Sequence, residues 1–352
     1  MWSTFLTTVN AVVPIILLIM LGYALKRIGL FNANFIKTGN KFVFRVCLPC
    51  MLFINVYDSM SSFSDIRWDV VLYAVVIICV IFGLGLLSAV MTTKDNRRRG
   101  VILQCAFRSN FAVIGLPLVE RLGGDVALAG IISAFSIPVF NILAVVALTV
   151  FVGGGQSCEQ LSLLTPAKKS GAKSVVLNVI KNPLIIGVSA GLVFVGIREI
   201  EAAACGVAGA DVPFRFDRQL EFAYVAVKDI KLIASPLALI VLGAQFEFSA
   251  VKGMTKEITV ATLMRIVVTP LVGIGAAILF SEFTDLLSFG PEVYPTLIAL
   301  FGTPVAVSSA IMAAEMSNDE QLAAQLVVWT SLGSIITVFT TVFALTAFGL
   351  LA

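Results

Sequence analysis

Residues 108–124 read RSNFAVIGLPLVERLGG and interrupt a long apolar stretch, with GVILQCAF before them and DVALAGIISAFSIPVF after. Arg, Asn, Gly and Pro are each costly or helix-breaking inside a membrane span. Near the middle of a span, these types suit one chemistry above others, the holding of an anion. Unpaired N–H groups at a helix break carry partial positive charge. The Asn110 amide donates hydrogen bonds, and Arg108 brings a permanent charge. The competing reading of Arg108 is a side chain that snorkels to the interface. A second stretch of the same kind, FGTPVAVSSAIMAAEM at 301–316, sets GTP at 302–304 against GLP at 115–117. Proline lacks an N–H and clashes with the carbonyl four residues back. Pro117 is therefore expected to free the carbonyl of Val113, and Pro304 that of Leu300. Gly115 and Gly302 let the backbone leave helical geometry. Groups freed in this way must face protein or a wet cavity, because lipid cannot satisfy them.

The elements that would hold these residues are membrane helices. The 352 residues are 59% hydrophobic and 13% charged, against about 25% charged in an average soluble domain. Apolar runs fall at 9–25, 40–57, 69–91, 100–121, 126–152, 176–197, 230–247, 258–280, 293–314 and 321–349. Their length and lack of alternation predict ten helices rather than a barrel. The first is read as a span and not a removable signal peptide, since MWSTFLTTVN has no basic n-region. Fourteen Lys and Arg fall in one set of loops (26–41, 94–99, 168–181, 252–256) and five in the opposite set (Arg67, Arg121, Arg198, Arg215, Arg218). The first set is expected to be cytoplasmic, with both termini outside. With span four entering near Gly100, Asn110 lies roughly 15 Å into a core roughly 30 Å thick.

The two halves of the chain match. Pro49 and Pro117 map onto Pro236 and Pro304 at one offset of 187, which also carries Gly115 onto Gly302. At the front the offset is 169, taking Pro14 to Pro183 and Gly22 to Gly191. Five spans per copy make the second copy inverted. Residues 1–152 and 176–352 are thus expected to be inverted five-helix repeats joined by a cytoplasmic linker at 153–175, where GGGQS and TPAKKSGAKS are linker-like. Inverted repeats with discontinuous helices at the midplane belong to secondary transporters.

SNFAVIGLPLVERLGG resembles the fourth-span signature of the auxin efflux carrier family, N-x-x-x-x-G-x-P. FGTPVAVSSAIMAAEM is similar to the family's ninth span, and PIILLIMLGYALKRIGL and LPCMLF to its opening two. The resemblance implies an all-α fold of ten transmembrane helices in two inverted repeats, with spans four and nine crossing as in sodium/bile-acid symporters. It also implies transport of small organic anions. Asn110, Gly115, Pro117 and Pro304 fall on the family's crossover. Ser309 stands where plant members have a second proline, and the long hydrophilic central loop is missing. Both departures point to the short bacterial branch, whose substrates are small carboxylates such as malate or malonate rather than auxin.

Other polar groups complete the reading. Asn141, near the middle of span five, joins Arg108, Asn110, Gly115, Pro117, Gly302 and Pro304 as a candidate substrate-binding residue. Arg265 lies deep in span eight without an obvious sequence partner, and Glu120 and Glu315 end the crossover spans on opposite faces. The chain contains no His, which removes histidine relays, His metal sites and Ser-His-Asp catalysis. Cys47 and Cys50 in CLPC have redox spacing but read as small apolar residues within a span. No enzyme activity, metal or cofactor is expected. Sodium or a proton is left open as coupling ion, and a homodimer as assembly. The expected partners are an organic anion and membrane lipid, without nucleic acid, in the cell inner membrane. The alternatives are a cation/proton antiporter on the same architecture, which requires a midplane carboxylate, and a membrane-embedded sensor or channel.

Overall fold

The computed structural model describes residues 2–59, 66–152, 183–206, 214–246, 248–283 and 289–351. The expected linker at 153–175 and the start of the sixth apolar run lie outside the described residues. The described chain is helical throughout, and its only β feature is an isolated bridge between Ser109 and Val305.

Helix α1 spans Trp2–Arg27. Helix α2 (Ala33–Phe42) runs through a π-helical turn at Val43–Cys47 into α3 (Leu48–Ser59). Helix α4 (Trp68–Thr92) is apolar on both faces. Its Val70, Ala74, Ile77 and Ile81 are buried, and Leu72, Val76, Val80 and Leu87 point outward. That all-round pattern belongs to a helix whose outer face meets lipid. Helices α5 (Asn96–Phe107) and α6 (Leu116–Arg121) are separated by residues 108–110 and a π turn at Phe111–Gly115. Helix α7 covers Val126–Val150, α8 Pro183–Cys205, α9 Phe216–Gln219 and α10 Glu221–Gln245. Helix α11 (Thr255–Leu263) passes through a π turn at Met264–Val268 into α12 (Thr269–Phe283). Helix α13 (Tyr294–Leu297) with the π turn Ile298–Gly302 is separated by residues 303–307 from α14 (Ser308–Glu315), and α15 covers Glu320–Ala347.

Six described helical stretches are long and apolar enough to cross a membrane: Ala33–Asp58, Trp68–Thr92, Val126–Val150, Pro183–Cys205, Thr255–Glu282 and Glu320–Ala347. This is an integral membrane protein. The sequence predicts ten spans, and two of the remaining four, at 96–121 and 294–315, are interrupted helices. Helix α10 begins nine residues before the apolar run at 230. Its early charges are accommodated locally, with Lys231 3.6 Å from Asp58 and Lys228 over the Tyr224 ring.

Close helix contacts are set by glycine. A Cβ at Gly22 of α1 would collide with the carbonyl of Ile240 in α10, and one at Gly191 of α8 would collide with that of Phe53 in α3. Gly22 and Gly191 are 169 residues apart, and Phe53 and Ile240 are 187 apart. These are the two offsets of the sequence repeat.

The interrupted helices cross at their breaks. Asn110 N donates to Pro304 O at 2.9 Å, and Ala306 N donates to Arg108 O at 3.2 Å. Phe107, Phe111 and Phe301 pack around the crossing, all buried. At one end of the bundle Arg98 bridges Glu257 (2.9 Å) and Asp319 (3.1 Å), tying α5 to α11 and α15. At the other end Arg67 faces Glu292 at 3.7 Å.

The break in the first crossing helix is not at Pro117. Pro117 stands seven residues into the helical run that begins at Phe111, directly after the π turn whose wider spacing (Leu116 N to Phe111 O) accommodates its missing N–H. The chain leaves helical geometry at Arg108, nine residues earlier, once Phe107 ends α5. The second break does contain Pro304. The freed Leu300 carbonyl is taken up by Arg265 Nη2 at 3.4 Å.

Candidate functional site

A cavity of ≈ 50 Å³ opens beside the crossing. Its wall includes Arg108, Ser109, Asn110, Ala112 and Val113 from the first crossing helix and Ala306, Val307 and Ser308 from the second. Helix α3 contributes Leu48, Met51 and Leu52, α7 contributes Ile137, Phe140 and Asn141, and α10 contributes Ser235 and Ala238. Arg108, Asn110 and Asn141 thus meet at one place. Gly115, Pro117, Gly302 and Pro304 are not on this wall. Gly115 allows the two crossing segments to approach, since a Cβ there would press on the Phe111 ring and on Ala299.

Arg108 does not snorkel. It is 4% exposed. Its Nη2 donates to Asn141 Oδ1 at 2.8 Å and to Ser308 Oγ at 3.0 Å, and its Nη1 donates to the Met312 sulfur. Asn141 is held for this contact by its own Nδ2, which donates to Ile137 O at 2.8 Å. Among the described residues no carboxylate lies at ion-pair distance from Arg108. A buried guanidinium with only neutral acceptors leaves a net positive charge at the site.

Asn110 joins the two halves of the first crossing helix. Its N–H goes to Pro304, and its carbonyl accepts from Ile114 N at 3.0 Å and Gly115 N at 3.3 Å. Its side-chain Nδ2 is buried and makes no hydrogen bond within the described chain. A buried amide donor without an acceptor is costly, of order 1–3 kcal/mol. Asn110 also lines the cavity. Two helical segments begin at this wall, at Phe111 and at Ser308. Each brings the positive end of a helix dipole. The cavity wall contains no Asp or Glu, and among the described residues no group of His, Cys, Asp and Glu is arranged to hold a metal.

Met51, Ser235 and Ser308 on the cavity wall, and Met312 against Arg108, are candidate-site residues that the sequence does not single out. A signal existed for the first two. They flank the repeat prolines Pro49 and Pro236, and at the offset of 187 Leu48 pairs with Ser235 and Met51 with Ala238. All four of these residues line the cavity.

Comparison with known proteins agrees with a chain built for membrane transport. Residues 7–342 match the model of a family described as membrane transport protein. The chain is 22% identical over 271 residues to the "Uncharacterized transporter YfdV" of Escherichia coli strain K12, covering 75% of this chain and 76% of that protein. It is 20% identical over 342 residues to an "Uncharacterized transporter" of Methanothermobacter thermautotrophicus, covering 94% and 96%.

Proposed function

The chain belongs to the membrane transport protein family, the auxin efflux carrier type, and from that membership we propose that it is a secondary transporter or uniporter of small organic anions. The observation that carries this reading is the pairing at one cavity of Arg108, buried without a carboxylate, and Asn110 Nδ2, buried without an acceptor. The two helix N-termini contribute about +0.5 charge each. With Arg108 the site has about +2 to offset, which suits a mono- or dicarboxylate such as malonate or malate. Arg108 is the charge partner, Asn110 donates to one carboxylate oxygen, and Asn141 and Ser308 orient the guanidinium. A cation/proton antiporter needs a midplane carboxylate, and the cavity wall has none.

We read the architecture as ten spans in two inverted repeats, residues 1–152 and 176–352, with both termini outside the inner membrane. The glycine contacts of Gly22 and Gly191 and the cavity positions paired at the offset of 187 support the repeat. At the crossing itself the matching backbone bonds relate Arg108 to Pro304 and Asn110 to Ala306, an offset of 196. The expected overlay of Gly115 on Gly302 and of Pro117 on Pro304 therefore does not hold at the crossing, where the second copy runs nine residues longer than the first. The cavity is well below the roughly 300–1,000 Å³ of ordinary ligand pockets. Loading requires α3 and α10 to draw back from the crossing, as alternating access demands.

Uptake of radiolabelled mono- and dicarboxylates into proteoliposomes, with and without sodium and proton gradients, tests the reading. Saturable uptake of at least one acid, competed by unlabelled acid, is expected. Uptake of none, alongside transport of a cation in exchange for protons, refutes it in favour of the antiporter.

A further inference from the structure

Among the described residues Arg265 is the largest fully buried side chain, 0% exposed, on the π turn between α11 and α12. It is absent from the wall of the anion cavity. Every acceptor the structure gives it is a backbone carbonyl. Nε and Nη2 donate to Thr303 O at 2.9 and 2.7 Å, Nη2 also to Leu300 O at 3.4 Å, and Nη1 to Ala106 O at 3.2 Å. Thr269 Oγ1 donates to the same Ala106 carbonyl at 2.9 Å. Among the described residues no carboxylate forms an ion pair with it.

These oxygens are the ones the two breaks release. In an uninterrupted helix Ala106 O would accept from Asn110 N, but Asn110 N is given to Pro304 O. Leu300 O would accept from residue 304, a proline without an N–H. The guanidinium therefore sits where the C-terminal ends of α5 and of the segment 294–302 face each other. Each end carries about −0.5 charge. Together they need one positive charge, and Arg265 supplies one.

A ring of backbone carbonyls with a nearby hydroxyl, at the C-terminal ends of two broken helices inside a membrane, is also the donor set that takes up a sodium ion. We propose that Arg265 is a tethered cation, permanently filling the carbonyl site at which such a crossing would otherwise need a free alkali ion, so that this site binds no sodium. The proposal rests on the transporter reading for its consequence, which is that anion movement draws no coupling from sodium at the crossing. A covalently held charge cannot be bound on one side of the membrane and released on the other.

The test uses thermal unfolding of the purified full chain, which needs no substrate. Its outcome is therefore independent of whether the anion reading holds. The parent should unfold at the same temperature in sodium, potassium and choline chloride at equal ionic strength. Arg265→Gly leaves a carbonyl-lined void and should unfold several degrees lower. It should regain at least half of that loss, saturably, with millimolar guanidinium or sodium. Arg265→Met fills the void with an apolar chain, so its loss should not be regained with either ion. Arg265→Lys keeps the charge and should remain indifferent to sodium. A parent stabilised by sodium over choline overturns the proposal, as does an Arg265→Gly protein that folds and responds to no cation. If Arg265→Gly yields no folded protein, the parent and Arg265→Lys decide. Sodium indifference in both supports the tethered cation, and sodium dependence in either refutes it.

Discussion

Removing the Asn110 side chain separates its ligand role from any packing role. Its Nδ2 makes no hydrogen bond within the described chain, so Asn110→Ala breaks no donor contact there. The backbone bonds that hold the crossing, Asn110 N to Pro304 O and Asn110 O to Ile114 N, are made by the main chain and survive the substitution. The unfolding temperature should stay within a degree or two of the parent, because the change also removes a buried donor without a partner. Binding should suffer. One hydrogen bond to a carboxylate is worth about 1.5–3 kcal/mol, which is roughly a tenfold to hundredfold loss in affinity. Asn110→Asp should bind still more weakly, since it sets a negative charge against the anion. The assay is equilibrium binding of an acid confirmed by uptake, with unfolding measured on the same preparations. An Asn110→Ala protein that binds and transports at the parent level would refute the reasoning. Asn110 would then be a packing residue, and the site would have to rest on Arg108 and Asn141 alone.

The glycine contacts predict an ordering of stability. Gly22→Ala forces a methyl against the Ile240 backbone and Gly191→Ala against that of Phe53, so each should destabilise by about 1–3 kcal/mol. Gly196→Ala, on the same helix α8 with open space around it, should be neutral or stabilising by up to about 1 kcal/mol; equal effects in all three, read as unfolding temperatures, would show that α1 and α8 do not pack as described. In the short helix α9, burial pushes the Asp217 carboxyl upward, but hydrogen bonds from Arg215 and Tyr57 outweigh it and hold it below the ordinary carboxylate value. Its contribution to stability is thus present above the unfolded pKa and lost as pH falls through the lower folded one. Asp217→Asn should be less stable than the parent at neutral pH, with the gap closing below about pH 4; a gap that stays constant through acid would remove the ion pair as its source.

Much of this protein was legible in its residues. Apolar length depends on local composition alone and marks a membrane protein, while the overlay of Pro117 on Pro304 at 187 does not carry to the crossing, where the backbone bonds relate Arg108 to Pro304. The stretch around Asn110 stood out because Arg, Asn, Gly and Pro are individually expensive in a span. The Leu300 carbonyl could be identified as freed because the clash at Pro304 is a local property of the chain. The position of the first break could not. Pro117 stands inside the helical run that starts at Phe111 and is absorbed there by a π turn, whereas the chain unwinds at Arg108–Asn110, where Asn110 N bonds to Pro304 O nearly two hundred residues away. Arg108 had two local solutions, the interface or the interior, and its choice was made by Asn141, Ser308 and Met312 on other helices. Arg265 gave no sequence signal of its partners because they are backbone carbonyls, which every residue carries and only the crossing of two broken helices brings together.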